Sequence, residues 1–507
     1  MTNSYITYSR ENGGRVLLLF LLFLLALYQL THAGFSAFAV VCLIPLLVVA
    51  IYCAFRWKML TFWILLFINY FIQMKDISEH FPLPTSLPNE MLQIILLAIA
   101  IIDARVNPHF EKCVNLMLFA LIIWCSFCTL EVLNNTCGLG INIGSWYNGA
   151  RLMAFQLLYI FLVFSIYISN PKNLIRYLII WGGLSLFSVY WVWKQKTYGF
   201  TTIENAWLWS RGKSTHVLNA GTLIRYFSTF SDAANYGCNA AGTAAAFIIF
   251  AIMTKINKLR IFFAIVSIFI IWGMFQSGTR TAIFCLAAGL IVFIVLSKSV
   301  KIAVPFSIAL VIFASILIFT NIGNGNQQIR RMRSAFDKSD ASANVRDINK
   351  AAIKKYIQDA PWGIGIGMSM ENVPANNKYR KLSMIPPDSE YVFIWVRTGP
   401  VGLTVFIITT LIMLGGACWT VLFKLKNKSL VGIGGGLCGA FVAIHLGGYA
   451  NQVLMQYPNC LIFYGGLSIV YILPYLEPAW IEYEKKLLAE QAEKKRLKLE
   501  KKLASRV

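Results

Sequence analysis

Residues 281–320 read TAIFCLAAGLIVFIVLSKSVKIAVPFSIALVIFASILIFT, two apolar runs parted by a short basic link at Lys298 and Lys301. The runs are continuous and do not alternate, and each approaches the roughly 20 residues a helix needs to cross a hydrocarbon layer. Lipid offers no water to the backbone, so a spanning segment of this kind must be helical. The stretch therefore reads as two membrane helices joined by an inner turn.

Runs of the same kind continue in both directions. Helices are expected at 15–32, 34–54, 59–74, 90–104, 113–133, 152–169, 177–194, 236–254, 261–275, 281–297, 302–320, 390–422, 430–449 and 460–476, about fourteen spans, or 12–14 where runs abut. Of the 507 residues 58% are hydrophobic and 13% charged, with a mean hydropathy of +0.64, too little polar surface for a soluble fold of this size. The expected fold class is all-α integral membrane, a polytopic bundle with a large, partly helical outer loop. The first run resembles a signal-peptide core, but no small-residue cleavage site precedes the THAG turn and another apolar run follows at once, so it is kept as a span.

The chain divides at its polar intervals. Residues 1–194 hold the N-terminal helices, 195–235 an outer loop, 236–320 the central helices, 321–389 the large outer loop, 390–476 the C-terminal helices and 477–507 a basic tail. With the N-terminus inside, the links bearing Arg56/Lys58, Arg105/Lys112, Lys172/Arg176, Lys255/Lys258/Arg260, Lys298/Lys301 and Lys424/Lys426/Lys428 all face the cytoplasm, as the positive-inside rule requires. The net charge of +23 is then mostly topology and needs no nucleic acid partner. In the tail, Leu487, Leu488, Leu497, Leu499 and Leu503 are interleaved with Glu and Lys, which predicts a helix lying on anionic membrane lipid, with a partner-binding helix as the alternative.

The outer loops break the charge rule. They carry Arg211, Lys213, Arg225, Arg330, Arg331, Arg333, Arg346, Lys354, Lys355, Lys378 and Arg380, with Arg151, Arg280 and Arg397 where the chain meets the membrane. Either an external anion compensates them, or they pair with Asp232, Asp337, Asp347 and Asp359. In FQSGTRTAIF, Arg280 follows a turn and opens a helix, so backbone N–H groups and the Ser277 hydroxyl are available to a phosphate. Arg225 precedes an aromatic turn in which Ser231, Asp232 and Asn235 are candidate caps or ligands.

Within the large loop, NVRDINKAAIKKYIQDAPWGIGIG predicts an amphipathic helix ended by Pro361, its apolar face formed by Val345, Ile348, Ala352 and Tyr356, with Ile353 and Ile357 beside them. The GIGIG run follows a helix where a nucleotide fingerprint would follow a strand, so it reads as a flexible turn. In PPDSEYVFIWVRTGPVG, Asp388 and Glu390 stand at the start of a helix that also carries Tyr391 and Arg397. Ionisable groups at a membrane edge are functional candidates, while the plain alternative for Asp388 is an N-cap.

The spacing Asp388-Ser389, nine residues, Gly399-x-x-Gly402 resembles the motif of bacterial O-antigen ligases, in which a His and a following polar residue precede nine residues and GxxG. The SGTRT turn is similar to that family's arginine motif, and VRDINKAAIKKYIQDAPWGIGIG to its amphipathic periplasmic segment. The resemblance covers about residues 220–415 and extends to the O-antigen polymerases of the same superfamily.

The resemblance implies a glycosyltransferase of the bacterial inner membrane, multi-pass, with both termini cytoplasmic and the active site facing the periplasm. Its donor would be an undecaprenyl-diphosphate-linked oligosaccharide, used without metal or other cofactor in an inverting transfer. Carried over, Arg280 and Arg346 would contact the diphosphate and Asp388 would stand at the acceptor hydroxyl. Beside these, the sequence itself offers Glu390 as a further catalytic candidate and Arg225, Arg211, Arg330, Arg333, Arg397, Ser277, Tyr391 and His445 as candidates for binding the diphosphate or substrate. The acceptor would be a glycan or a lipid A-core, and a chain-length regulator is a possible partner. This chain departs from the pattern in having Asp388 in place of His and Phe284 in place of a leucine. A carboxylate can still take the hydroxyl proton, but the loss of the ligases' characteristic histidine favours the polymerase branch.

Other signals are weaker. His32, His80, His109, His216 and His445 show no metal-ligand spacing. His445 lies in LVGIGGGLCGAFVAIHLGGYA, whose small residues predict close helix packing. Cys125 and Cys128 read as core, whereas Cys137 and Cys460 both fall outside and could pair. A lipid-linked glycan transporter is the rival reading, but it should place charges deep in several early helices, which hold almost none.

Overall fold

The computed structural model describes residues 13–32, 34–81, 84–104, 110–218, 221, 223–334, 341–385 and 388–504. Two units divide the chain, Met1–Trp63 and Ile64–Val507. In the first, helices Gly13–His32 and Phe35–Arg56 pack on each other, and residues such as Leu17, Leu18 and Phe20 stay exposed, as lipid-facing groups do.

The second unit is built around two helices, Ala233–Met253 and Lys428–Ala450, buried over 83% and 89% of their apolar windows and so surrounded by other helices. Their composition explains the placement. The AAGTAAA and GIGGG runs let backbones approach closely, as the small residues predicted. A Cβ on Gly289 of helix Thr281–Leu296 would stand 2.8 Å from Ala245 Cβ and 2.9 Å from Gly439 O, so three helices meet there without side chains between them.

Among the described residues, nine helices are long and apolar enough to cross a membrane, ten if a bent pair near residue 57 counts as one span. The all-α membrane fold stands, but the expected count of fourteen is not confirmed. Thr281–Leu296, at 16 residues, is apolar yet shorter, because counting every apolar run also counts helices that fall short of a full crossing. The strand content among described residues is one antiparallel pair, Val217–Leu218 with Leu223–Ile224.

Three further expectations change. Between the expected spans 113–133 and 152–169 the chain is not all loop: Asn142 caps a helix at Ser145 N, and the segment Ile143–Tyr167 runs on as one candidate span. The last helix does not break near residue 476: it continues from Gly465 to Ala504, and Trp480 and Glu484 on it are buried. Glu484 accepts from Ser429 Oγ at 2.5 Å and Asn427 Nδ2 at 2.8 Å, so the base of the tail is packed into the bundle. GIGIG is not a loose turn either: Ile364 N donates to Val396 O at 3.0 Å and Gly365 N to Arg397 O at 2.9 Å. This clasp falls on helix Glu390–Trp419 where Gly399, at φ +67°, interrupts it.

Candidate functional site

The SGTR turn at 277–280 is the first centre. Ser277 Oγ donates to Met274 O at 2.7 Å and accepts from Thr279 N at 3.1 Å, which closes the turn after helix Asn257–Gln276. Gly278, at φ +57°, takes the left-handed position that side chains resist. Two arginines grip the carbonyls of this turn, Arg225 Nε on Ser277 O at 3.2 Å and Arg331 Nε on Gly278 O at 2.7 Å. Arg225 also donates to Thr279 Oγ1 at 3.0 Å and to Thr215 O at 2.9 Å. Burial first, then the charges of Arg225 and Arg280, push the Arg331 guanidinium down to about 10, so the three cations lie within electrostatic reach of one another. Such a cluster is relieved when an anion arrives.

The second centre is at the start of helix Glu390–Trp419. Its N-cap is Ser389, whose hydroxyl donates to Gly448 O at 3.0 Å, so Asp388 is not the N-cap residue. Asp388 is half-buried and accepts from Asn349 Nδ2 at 2.8 Å. It lines a small cavity with Asn349, Lys350, Ile353, Val392 and Tyr449, next to a larger one of about 320 Å³ lined by Lys350, Lys354, Tyr391, Trp395 and Tyr449 among others. The Lys350 ammonium lies 4.8 Å from the Tyr449 ring centre and 3.4 Å from its hydroxyl. A carboxylate, an amide, two lysines and three aromatic rings can hold a hydroxylated, anionic molecule.

Helix Ala341–Ile357 brings Asn349 and Lys350 there; of its expected apolar face Ile353, Ile357 and the partly buried Tyr356 do pack inward, but Ile348 does not. Ile348 is 67% exposed, while Ile353 and Ile357 are buried with Ile364, Leu382, Val392 and Val396. The reason is phase: Ile353 and Ile357 are four apart and fit the hollow above helix 390–419, which turns Ile348 away. The side chains of Val345 and Arg346 lie outside what the structure describes.

The other expected residues divide between these centres and elsewhere. Glu390 lines neither cavity; it is buried, and its Oε2 accepts from Leu454 N at 3.0 Å. Tyr391 lines the larger cavity, and its hydroxyl meets His445 Nδ1 at 3.1 Å, while His445 Nε2 is buried without a hydrogen-bond partner among the described residues. Arg397 stands apart against the Phe393 ring and Ile366 O. Arg211 pairs with Glu79, Arg333 with Asn324, and Arg330 is exposed. Cys137 donates to Ile364 O and Cys460 accepts from Gln156 Nε2; both are free thiols, so the pairing open to them is not formed. In the early helices Arg151 and Glu90 form a shielded ion pair at 3.1 Å, an exception to the expectation that those helices hold almost no charge.

Between the centres runs the segment 451–459, NQVLMQYPN, which carries no charge and no motif. Leu454 N holds Glu390, Gln456 Oε1 accepts from Asn235 Nδ2 at 3.1 Å and from Ser231 Oγ at 2.5 Å, and Asn459 Oδ1 accepts from Asn239 Nδ2 at 2.8 Å. The signal was present: five polar or turn-forming residues interrupt two apolar runs.

Fold and composition together define a multi-pass, all-α membrane protein with arginine-rich polar segments. Residues 265–407 match the family described as O-antigen ligase, and the match supports the O-antigen ligase/polymerase superfamily, a glycosyltransferase-like class of bacterial membrane protein. No curated protein matches the chain. The matched segment contains Arg280, Arg331, Arg346 and Asp388; Arg225 and His445 lie beyond it.

Proposed function

We propose that the protein transfers or polymerises undecaprenyl-diphosphate-linked oligosaccharide repeats at the periplasmic face of the bacterial inner membrane, by inverting transfer without metal. The observation that carries this reading is the gathering of Arg225, Arg280 and Arg331 at one turn, in a chain whose matched segment also holds Asp388 beside a cavity. A diphosphate leaving group needs its developing charge stabilised, and the acceptor hydroxyl needs to be oriented and relieved of its proton. The arginines suit the first task, with Arg346 expected to join them. Asp388 suits the second: its carboxylate would take the hydroxyl proton as oxygen attacks the sugar carbon and the diphosphate departs with the bonding electrons.

Both termini would then lie in the cytoplasm, with about 12–14 crossings as the proposed count. The sugar polymerase is favoured because Asp388 replaces the ligases' histidine. Ligation of the glycan to lipid A-core or protein is the second reading, favoured by the description of the matched family. A deletion strain separates them, with surface glycan resolved on a gel and the lipid-linked pool analysed in parallel. Polymerase function predicts loss of the long ladder with single repeats still attached. Ligase function predicts loss of all attachment, with long chains stranded on the carrier. An unchanged ladder and pool overturns both.

A further inference from the structure

At the far end of the bundle from the SGTR turn, helix Pro171–Thr197 begins beside the last helix, and a cavity of about 410 Å³ opens between them. It is lined by Lys172, Asn173, Arg176, Ala479 and Tyr483 among others. Lys172 and Arg176 are exposed, stand four residues apart on one face of the helix, and make no ion pair among the described residues. Two like charges at that spacing repel, and the cavity lining includes no carboxylate. Tyr483 also lines an adjoining cavity of about 170 Å³ whose wall is Ile175, Ile256, Leu259 and Leu487. Lys258, Lys494, Gln491 and one carboxylate, Glu490, complete that second lining.

A basic hollow that continues into an apolar one matches a molecule with an anionic head and a hydrocarbon tail. We propose that this is a binding site for an anionic phospholipid, its phosphate between Lys172 and Arg176 and an acyl chain against Ile175, Ile256, Leu259 and Leu487. Basic pockets at the ends of membrane helices take lipid headgroups by the same charge attraction. Bound there, the lipid bridges helix 171–197 and the last helix. The site does not depend on the glycan chemistry.

Native mass spectrometry tests it on the full-length protein, released from nanodiscs containing equal phosphatidylglycerol and phosphatidylcholine. The wild type is expected to retain phosphatidylglycerol preferentially. The double variant K172A/R176A should retain about tenfold less, since each cation near an anionic headgroup contributes to binding. Both side chains are exposed, so its melting temperature should match the wild type, and Lys258→Glu, also exposed, should weaken retention independently. Equal retention by wild type and both variants, or no preference over phosphatidylcholine, overturns the site. Displacement of the lipid by millimolar inorganic phosphate would identify a free-phosphate site and overturn the lipid assignment.

Discussion

Asp388 is half-buried, touches Asn349, and borders a cavity while leaving the helix cap to Ser389. Its removal should therefore spare the fold. Asp388→Asn is expected to lower transfer at least ~100-fold, the usual contribution of a positioned base, with unchanged protein in the membrane. The check is a transfer assay on purified membranes with lipid-linked donor, and activity within a fewfold of wild type would return Asp388 to a structural role. Arg331 is the second test. Arg331→Lys keeps the charge but loses the planar fork that grips Gly278 O, so it should reduce transfer nearly as much as Arg331→Ala, about 10²-fold if the cluster stabilises the leaving group. Asp388, Arg225 and Arg280 were legible because each stands where a polar interval meets an apolar run. Arg331 was not, since nothing in QQIRRMR ranks three arginines. The phase of helix Gln327–Arg333 decides, sending Arg331 to the turn, Arg333 to Asn324 and Arg330 to solvent.

His216 adds a pH dependence at the same scale. Its Nε2 accepts from Ala233 N at 3.0 Å and its Nδ1 lies 3.2 Å from Gly212 O, a pattern that suits the neutral ring. Burial, then Arg225, lowers it from 6.5 to about 4, with Asp232 opposing. As pH falls below 6.5 the unfolded chain binds a proton that the folded protein refuses. The stability tied to the neutral ring is complete above pH 6.5 and declines toward about 4, a loss on the order of 3 kcal/mol. Melting in detergent across this range should show that decline, and His216→Gln should flatten it.

At the scale of elements, hydropathy revealed the helices but not how broken segments lock together. Gly399 and Gly363 both have positive φ and meet backbone to backbone, so a Cβ on Gly399 would collide with Pro361 O and Gly363 N. The glycine that begins the GxxG motif thus has a mechanical reason: it opens helix 390–419 to receive the GIGIG clasp. Gly399→Ala should cost about 3 kcal/mol or more, from strained backbone and forced displacement. Thermal melting in detergent should show a lower transition and reduced membrane abundance, while Gly415→Ala, which meets nothing within 4 Å, serves as the neutral control. The amphipathic helix shows the same limit of periodicity. The pattern NVRDINKAAIKKYI allows two apolar faces, and only the hollow over Val392 and Val396 selects Ile353.

At the scale of the molecule, the membrane class was legible from composition because no soluble surface could absorb so many apolar residues, but the link between the two centres was not. Residues 451–459 hold no charged group, yet they contact Glu390 on one side and Ser231 and Asn235 on the other. Asn459 is the fully buried knot of that segment: its Nδ2 donates to Val453 O at 3.0 Å and to Asn235 Oδ1, and its Oδ1 accepts from Asn239 Nδ2. Asn459→Ala strands these partners, at about 1 kcal/mol or more for each buried group left unmade. The loss should lower the melting temperature by several degrees. It should also loosen the loop on helix 233–253, to which Gln456 and the Tyr457 carbonyl still hold it through Asn235, while leaving every residue of both centres in place. If the diphosphate and the acceptor are held by separate centres in register, transfer per folded molecule must fall further than abundance does. Equal falls in activity and abundance would mean that the two centres work without that register, and that the loop serves the fold alone.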